Sequence, residues 1–238
     1  MGSLSREVLD ALRPQLLDGL LRLGLPAAAA PPEELADSLL TYTAELYRFN
    51  DKLGLVEAAP PEFIHAHLLD SLTPLPLIAA AGKNLIDLGS GAGLPGIPLA
   101  LALPELTVTL LDRSGRRCGF LRNAVAILRR PDIEVVQGDL SRAGAPGGAA
   151  GESRWRVVTA RAFRPLNRAL LEQILPLLAP GGTLFLYKGR LTAAEEELSA
   201  VLSEFSRVGE KPPEAELQEL KVPGLDRERC LLRLRKSA

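Results

Sequence analysis

The chain has 238 residues, of which 47% are hydrophobic and 24% charged, with a formal net charge of −1; this is ordinary usage for a globular protein with one large α/β domain. The near-neutral charge gives no sign that the whole molecule binds nucleic acid, although a local basic patch can still do so. The two cysteines are too few for a disulfide framework or a four-thiolate metal site. No apolar run approaches the roughly 18 residues of a membrane span. We therefore expect a cytoplasmic protein with neither metal nor membrane attachment.

The first third of the chain is predicted to be helical. One helix is expected over residues 5–23, a longer one from Pro32 to Gly54, and a third over residues 62–72. The apolar residues of the longer helix alternate steps of four and three, which predicts one buried face. These residues are Leu35, Leu39, Tyr42, Leu46, Phe49 and Leu53. We interpret residues 1–80 as a helical lead-in that packs on the core of a domain formed by residues 81–238.

Strand and helix patterns alternate in that second region. Apolar runs that predict strands occupy residues 84–88, 106–111, 133–136, 156–159, 183–187 and 230–234. Helical segments alternate with the first five runs, which implies right-handed crossovers and a mainly parallel, doubly wound sheet with helices on both faces. The last run does not follow the alternation, and we expect an antiparallel late strand. The predicted fold is therefore α/β and Rossmann-like.

A glycine-rich turn follows the first predicted strand, where parallel α/β sheets bind ligands. Its GAGLPG stretch matches the G-x-G-x-x-G pattern of dinucleotide sites, but the same backbone approach serves a methyl-donor site equally well. Asp87 favours the methyl donor, because a carboxylate or its bound water opposes the cationic groups of S-adenosylmethionine and disfavours a pyrophosphate. A simpler alternative is that Asp87 caps a local amide. Asp112, at the end of the second strand, can accept both ribose hydroxyls of either cofactor.

Two motifs resemble those of the class I methyltransferases that use S-adenosylmethionine, namely the D-x-G-x-G-x-G run from Asp87 to Gly93 and the L-x-P-G-G turn at residues 178–182. Longer blocks resemble the bacterial small-subunit (16S) rRNA guanine-N7 methyltransferases, also called the glucose-inhibited division protein B family. In chain order these blocks are HLLDSL, DLGSGAGLPGIPLAL, LLDRSGRRCGFLR, RAF, YKG and VPGLDRER. The chain is thus similar to this family over most of its length.

The resemblance implies that the cofactor is S-adenosylmethionine. With the carboxylates and glycines above, the predicted cofactor-binding residues are Asp87, Gly89, Gly91, Gly93, Leu94, Asp112, Asp139, Leu140, Ser141 and Arg161. After the third strand the family commonly has a glutamate beside an apolar residue, and this chain departs from that pattern. We expect Asp139 or a backbone amide to make the adenine contact instead. Gly54 stands where the family often has an asparagine, and no role is expected for it.

The sequence also limits which base atom can accept the methyl group. The chain has no Asn-Pro-Pro-aromatic clamp of the kind used for adenine amino groups, and neither Cys118 nor Cys230 is placed to be the nucleophile of cytosine C5 methylation. Guanine N7 has an in-plane lone pair that attacks a sulfonium methyl without losing a proton, so alignment and charge management suffice. The expected products are 7-methylguanosine and S-adenosylhomocysteine.

Basic residues after several strands are expected to face the substrate. The catalytic candidates are Arg161, Lys188 and His67, and the RNA-binding candidates are Arg116, Arg117, Arg164 and Lys188. Lys188, next to Gly189, is expected to lie over the acceptor pocket. Several alternatives remain open. His67 and Asp70 either form a helix-surface pair or line the guanine pocket, and the arginines between Asp112 and Arg130 either contact phosphates or cover a solvated helix. Arg227 and Arg229 either extend the basic surface or belong to a solvated tail.

The expected partner is 16S rRNA or the small ribosomal subunit, with no stable protein partner, so a monomer is predicted. Two other functions remain open on the same fold. One is a methyltransferase that acts on a small molecule, for which a basic sheet edge has little use. The other is an RNA-binding protein without catalytic activity.

Overall fold

The computed structural model describes residues 4–140, 155–162 and 164–237. Its first part is helical, as predicted. The helices are α1 (Arg6–Leu23), α2 (Pro32–Leu53), α3 (Pro60–Phe63), α4 (Asp70–Leu72) and α5 (Leu75–Ala81). A π-helical segment, Ile64–Leu69, joins α3 to α4 in one continuous helical stretch. The third predicted helix is therefore present, but its middle is wound more loosely than an α-helix.

The remaining elements alternate strand and helix. They are β1 (Asn84–Leu88), α6 (Gly96–Ala102), β2 (Thr107–Asp112), α7 (Gly115–Ile127), β3 (Glu134–Gln137), β4 (Trp155–Arg161), α8 (Arg168–Ile174), β5 (Leu178–Lys188), α9 (Leu191–Arg207), β6 (Glu214–Glu219) and β7 (Cys230–Arg235). A short 3₁₀ turn, Leu175–Leu177, leads into β5. The sequence did not predict β6, because its side chains are largely exposed and charged and leave no apolar run.

The seven strands of the described chain form one sheet in the order β3-β2-β1-β4-β5-β7-β6. Strands β1 to β5 are parallel, and β7 runs antiparallel to both of its neighbours, β5 and β6. The predicted doubly wound sheet with an antiparallel late strand is confirmed. Because the first five strands are parallel, their carboxyl ends meet at one edge, where the glycine turn and the ends of β2, β3 and β4 come together.

Two buried clusters cover the two faces of the sheet. One includes Leu16 of α1, Leu39 of α2 and Phe120 of α7, so the N-terminal helices share a core with the sheet. The other includes Leu171 of α8 and Val201 of α9. The helical stretch Pro60–Ala81 is long and apolar enough to cross a membrane. Within that stretch, however, 61% of the 18-residue apolar window is buried inside the protein. It therefore has the burial of a core helix.

A matched pair of glycine substitutions tests the packing beneath the glycine turn. A Cβ on Gly96, the first residue of α6, would lie 2.4 Å from Leu110 Cδ2 and 3.0 Å from Asp87 Oδ2, whereas a Cβ on Gly119 of α7 meets nothing within 4 Å. Because a packed core does not yield freely, we expect Gly96→Ala to lower the free energy of unfolding by about 1–3 kcal/mol.

Gly119→Ala removes a helix-interior glycine from an open position and should raise the free energy of unfolding by about 0.5–1 kcal/mol. Urea denaturation of both variants measures the two changes. If Gly96→Ala is as stable as the unsubstituted protein, the packing described here is wrong.

Candidate functional site

The glycine turn between β1 and α6 is a backbone cradle. Gly89, Gly91 and Gly93 have φ values of 68°, 57° and 91°, in the left-handed region that side chains rarely adopt. The turn is tied to the neighbouring strand by hydrogen bonds from the amides of Gly89 and Ser90 to the Leu111 carbonyl, at 2.8 and 3.0 Å. A Cβ on Gly91 would meet only the Gly89 carbonyl oxygen, at 3.7 Å, so the backbone there faces open space.

Asp112 closes one side of this cradle. Its side chain is only 3% exposed, and its two oxygens accept hydrogen bonds from the amides of Gly91 and Ser114, each at 2.8 Å. Arg117 Nη1 lies 3.9 Å from Oδ2. Each carboxylate oxygen has a further lone pair, so Asp112 can also accept hydroxyl donors from a ligand at the strand ends. The ribose contact expected of Asp112 stays a prediction.

Two cavities meet at the glycine turn, where both are lined by Gly89, Arg117 and Ala162. The first, which we call the strand-end cavity, has a volume of about 460 Å³ and is also lined by Leu88, Leu111, Asp112, Gly138, Asp139 and Leu140. The second, the helix-side cavity, has a volume of about 640 Å³ and is also lined by Val56, His67, Leu94, Arg161, Arg227 and Arg229. Both volumes are typical of small-molecule sites.

Asp87 lies behind the turn. Its carboxylate is 0% exposed and accepts hydrogen bonds from Thr159 Oγ1 at 2.9 Å and from the Gly96 amide at 3.3 Å. Burial raises the pKa of Asp87 to about 6 although these hydrogen bonds act in the opposite direction. Asp87 is not among the described residues that line either cavity. The structure agrees with the simpler alternative that Asp87 caps a local amide and anchors the turn from inside. Its predicted contact with the cofactor, direct or through a bound water, stays a prediction.

The other predicted cofactor residues divide by position. Asp139 and Leu140, after β3, line the strand-end cavity beside Asp112, whereas Ser141 lies outside the described residues. Gly93 is turned away from the cavities, since a Cβ there would meet Ile97 Cδ1 at 2.5 Å. Gly93 therefore allows α6 to pack closely under the turn and does not face a ligand.

Arg161, at the end of β4, reaches across to the helical stretch that precedes β1. Its Nη2 lies 3.0 Å from His67 Nδ1, and its Nη1 lies 3.3 Å from Asp70 Oδ2 and 3.5 Å from Ser71 Oγ. The side chain is only 13% exposed and lines the helix-side cavity. The predicted site residue Arg161 is thus held in one orientation by the N-terminal helices.

His67 is one of these partners. Its ring stacks on Phe63, with the ring centroids 5.3 Å apart. Burial, together with the charges of Arg161, Arg227 and Arg229, lowers the pKa of His67 to about 3. The imidazole is therefore neutral at physiological pH, and the catalytic role predicted for His67 stays a prediction. It lines the helix-side cavity and accepts a hydrogen bond from Arg161.

Lys188 and Arg116 are not among the described residues that line the two cavities. Lys188 Nζ donates to Glu197 Oε2 at 2.5 Å, and the same oxygen accepts the Leu166 amide at 2.7 Å. The predicted position of Lys188 over the acceptor is corrected to an ion pair between β5 and α9. Arg117 and Arg164, by contrast, do line cavities, and the Arg117 side chain is 47% exposed.

Several lining features had no signal in the sequence. The loop after α2 lines the helix-side cavity at Gly54, for which no role was expected. Asn50 holds this loop, because its Oδ1 accepts the amides of Leu55 and Val56 at 2.8 and 2.9 Å. Tyr42 Oη donates to the Ala92 carbonyl of the glycine turn at 2.5 Å, although its spacing indicates only a buried helix face. The contact between Tyr42 and Ala92 joins residues 50 positions apart and therefore leaves no local pattern in the sequence.

Comparison with known proteins decides the family. Residues 35–212 match the family model GidB, described as rRNA small subunit methyltransferase G. The chain belongs to this family. It is 42% identical over 195 residues to ribosomal RNA small subunit methyltransferase G of Alkalilimnicola ehrlichii, covering 81% of each chain, and 39% identical over 218 residues to that of Stenotrophomonas maltophilia, covering 91% and 92%.

The fold agrees with this assignment. An O-methyltransferase from Bacillus cereus, solved in complex with S-adenosylhomocysteine, has a TM-score of 0.57 to this GidB-family protein at 15% sequence identity, covering 95% of this chain and 97% of the other. The predicted family is therefore confirmed, and the fold is that of a class I methyltransferase.

The buried carboxylate of Asp87 gives the free energy of unfolding a predictable pH dependence. Because its pKa is about 6 in the folded state and ordinarily 3.8, this group favours the folded state below pH 3.8, and the contribution is lost as the pH rises through 6. An asparagine does not titrate. Between pH 4 and pH 7 the stability of Asp87→Asn relative to the unsubstituted protein should therefore rise, by on the order of 2 kcal/mol.

Denaturant titrations of both ligand-free proteins across this pH range measure the difference. Asp132→Asn is the control, because Arg130 holds the pKa of the Asp132 carboxyl below its usual value and the difference should stay flat above pH 5. A flat difference for Asp87→Asn as well would show that Asp87 is not buried as described.

Proposed function

We propose that this protein transfers a methyl group from S-adenosylmethionine to N7 of a guanine in small-subunit rRNA and releases S-adenosylhomocysteine. The observation that carries the proposal is the continuous pair of cavities beside the glycine turn. One contains the buried carboxylate of Asp112, and the other is lined by four arginines. Membership in a family of rRNA small subunit methyltransferases supports the same reaction.

The strand-end cavity fits the nucleoside part of the methyl donor. Asp112 has lone pairs for two ribose hydroxyls, while Asp139 and Leu140 offer a polar and an apolar contact for the adenine. The open backbone at Gly89 and Gly91, together with the guanidinium of Arg161, fits the methionine end. Bound S-adenosylmethionine supplies an electrophilic sulfonium methyl group; the residues of this chain supply its orientation.

The helix-side cavity fits the acceptor base. Guanine N7 reacts through a lone pair and needs no proton removed, so the enzyme needs alignment rather than a general base. The neutral His67 and the buried Asp87 agree with this, since neither offers a base to the cavity near neutral pH. The cavity is lined by four arginines and two glutamates, and this excess of positive charge suits the phosphates of RNA.

The RNA-binding part of the proposal rests on the arginines that line the cavities, among them the predicted residues Arg117 and Arg164. Lys188 and Arg116 are not among the described residues that line either cavity. The substrate is 16S rRNA or the small subunit, met in the cytoplasm, and the protein acts as a monomer without a stable protein partner. A methyltransferase for small molecules would have little use for four arginines in its acceptor cavity. A protein that only bound RNA would have little use for the Asp112 cradle.

Incubation with labelled S-adenosylmethionine and either naked small-subunit rRNA or assembled subunits tests the reaction. We expect 7-methylguanosine in the nucleoside digest of one of them, with RNA affinity that falls steeply as salt rises, because phosphate contacts release counterions. Label on another nucleoside would overturn the choice of guanine N7, and the absence of label from both substrates would overturn the proposed function.

Asp112→Asn tests the donor site. The substitution replaces one acceptor oxygen by an amide group that opposes a backbone N–H, so charge-assisted hydrogen bonds to the turn and the ligand are lost. We expect the affinity for S-adenosylhomocysteine, measured by calorimetry, to fall by about 10- to 100-fold. Asp37→Asn, which breaks an exposed ion pair with Arg13, is the matched control and should bind as the unsubstituted protein does. Equal affinities for both variants would refute the role of Asp112.

A further inference from the structure

We propose that Asp70 is a positioning residue that holds Arg161 and Arg229 side by side in the wall of the helix-side cavity, and that Arg229, held in this way, contacts a phosphate of the RNA substrate. This inference rests on the proposed function, because it names two residues that serve the same site. Asp70 itself is not among the described residues that line the cavity; it lies behind the two arginines.

The geometry of the three side chains carries the first half of the proposal. Asp70 is 2% exposed, and its two oxygens face different guanidinium groups. Its Oδ2 accepts a hydrogen bond from Arg161 Nη1 at 3.3 Å, and its Oδ1 lies 3.2 Å from Arg229 Nε in an ion pair without hydrogen-bond geometry. The arginines come from the end of β4 and from the segment just before β7, and Asp70 begins α4. One carboxylate therefore joins three distant segments of the chain at the cavity.

Burying the carboxylate of Asp70 between two guanidinium groups carries a desolvation cost. Removing a carboxylate from water costs several kcal/mol, and the attraction of its partners repays this only when the geometry is good. The two arginines lower the pKa of Asp70, yet burial outweighs them and raises it overall. An exposed ion pair elsewhere would stabilise the fold with less penalty. We infer that the buried pair is retained for the orientation that it gives the two guanidinium groups.

The local backbone supports this reading. The π-helical segment Ile64–Leu69 ends directly before Asp70, whose amide donates to the carbonyl of His65, five residues earlier. The wider winding leaves the His67 carbonyl 3.4 Å from Arg161 Nη1. Short π-helical segments are rare and are frequently found at functional sites. Here the segment brings the side chain of Asp70 and the backbone of His67 to the same guanidinium.

Arg161 and Arg229 differ in how many of their guanidinium N–H donors remain available to a ligand. Arg161 already faces His67, Asp70 and Ser71. Arg229 Nε forms an ion pair with Asp70 Oδ1 that lacks hydrogen-bond geometry, and its Nη1 donates to the Glu228 carbonyl at 3.0 Å. No partner of its Nη2 is found in the part of the chain that the structure describes. It is 19% exposed and lines the cavity beside Arg227, which is 50% exposed at the rim. A guanidinium that lines the cavity and has an unpaired Nη2 is suited to an RNA phosphate.

Binding of the two ligands, measured separately, tests the proposal. For Arg229→Ala we expect unchanged affinity for S-adenosylhomocysteine, a 5- to 10-fold weaker affinity for small-subunit rRNA, and a plot of log affinity against log salt whose slope is smaller by about 1. Arg229→Lys keeps the charge and should keep most of that slope. For Asp70→Asn we expect weaker binding of both ligands, because Arg161 is released as well.

The double variant shows whether Asp70 acts through Arg229. If it does, Asp70→Asn combined with Arg229→Ala should bind RNA no more weakly than the weaker of the two single variants, since the two changes remove the same contact. Glu105→Gln, which breaks the exposed pair with Lys83, is the control and should bind both ligands normally. Should Asp70→Asn not fold, Asp70→Glu replaces it, because it keeps the charge but shifts the carboxylate.

Wild-type RNA affinity and salt slope in Arg229→Ala would overturn the phosphate contact. Normal binding of both ligands by a folded Asp70→Asn protein, or fully additive losses in the double variant, would overturn the positioning role. Both readouts measure equilibrium binding and do not depend on methyl transfer. Failure of the proposed function can therefore be distinguished, because it appears as unsubstituted protein that transfers no methyl group to RNA.

Discussion

Two buried carboxylates hold the glycine turn, and the shape of both cavities depends on them. Asp112 accepts the amide of Gly91 from the ligand side, and Asp87 accepts the amide of Gly96 from inside the protein. The turn is thus fixed at its middle and at its end, across the point where β1 gives way to α6. Since neither aspartate can move without breaking a backbone hydrogen bond, the cradle exists before any ligand arrives, which lowers the ordering cost of binding.

The N-terminal helices complete this site rather than merely preceding it. Tyr42 of α2 donates a hydrogen bond to the Ala92 carbonyl in the turn, and Tyr187 of β5 donates one to the Ser71 carbonyl at 2.8 Å. Arg161 depends on His67 and Asp70 for its orientation. Removing residues 1–80 would therefore take away part of the cavity wall as well as part of the core, and the two segments function as one unit.

The sequence predicts the sheet well because strand and turn patterns are local. Each apolar run predicts a strand, and each glycine near a strand end predicts a turn. Five parallel strands then follow from the alternation of strands with helices. The edge strand β6 escaped prediction because Glu214 and its neighbours face solvent and carry no apolar signal. The short strand β3 lies at the other edge of the sheet, but it was predicted because its residues form a β-branched run. An edge position alone therefore does not prevent the prediction of a strand.

Side-chain direction was harder to predict than position. Asp87 was expected to face the ligand, but Thr159, 72 residues later on the adjacent strand, turns its carboxylate inward. Lys188 was expected over the acceptor, and Glu197 on α9 draws it away. Arg229 could not be told from a solvated tail, because its partner Asp70 lies 159 residues earlier in the chain. The partners of Asp87 and Arg229 are brought near only by the fold, whereas the partner of Lys188 lies nine residues away on the helix that follows β5.

A crystal structure of the protein with S-adenosylhomocysteine tests the central claim most directly. The account predicts ribose hydroxyls about 3 Å from the Asp112 carboxylate, adenine against Leu140, and the amino-acid end past Gly89 toward Arg161. The sulfur should then face the helix-side cavity, with Asp87 still bonded to Gly96. A ligand bound elsewhere, or one whose amino-acid end points away from Arg161, would contradict the account.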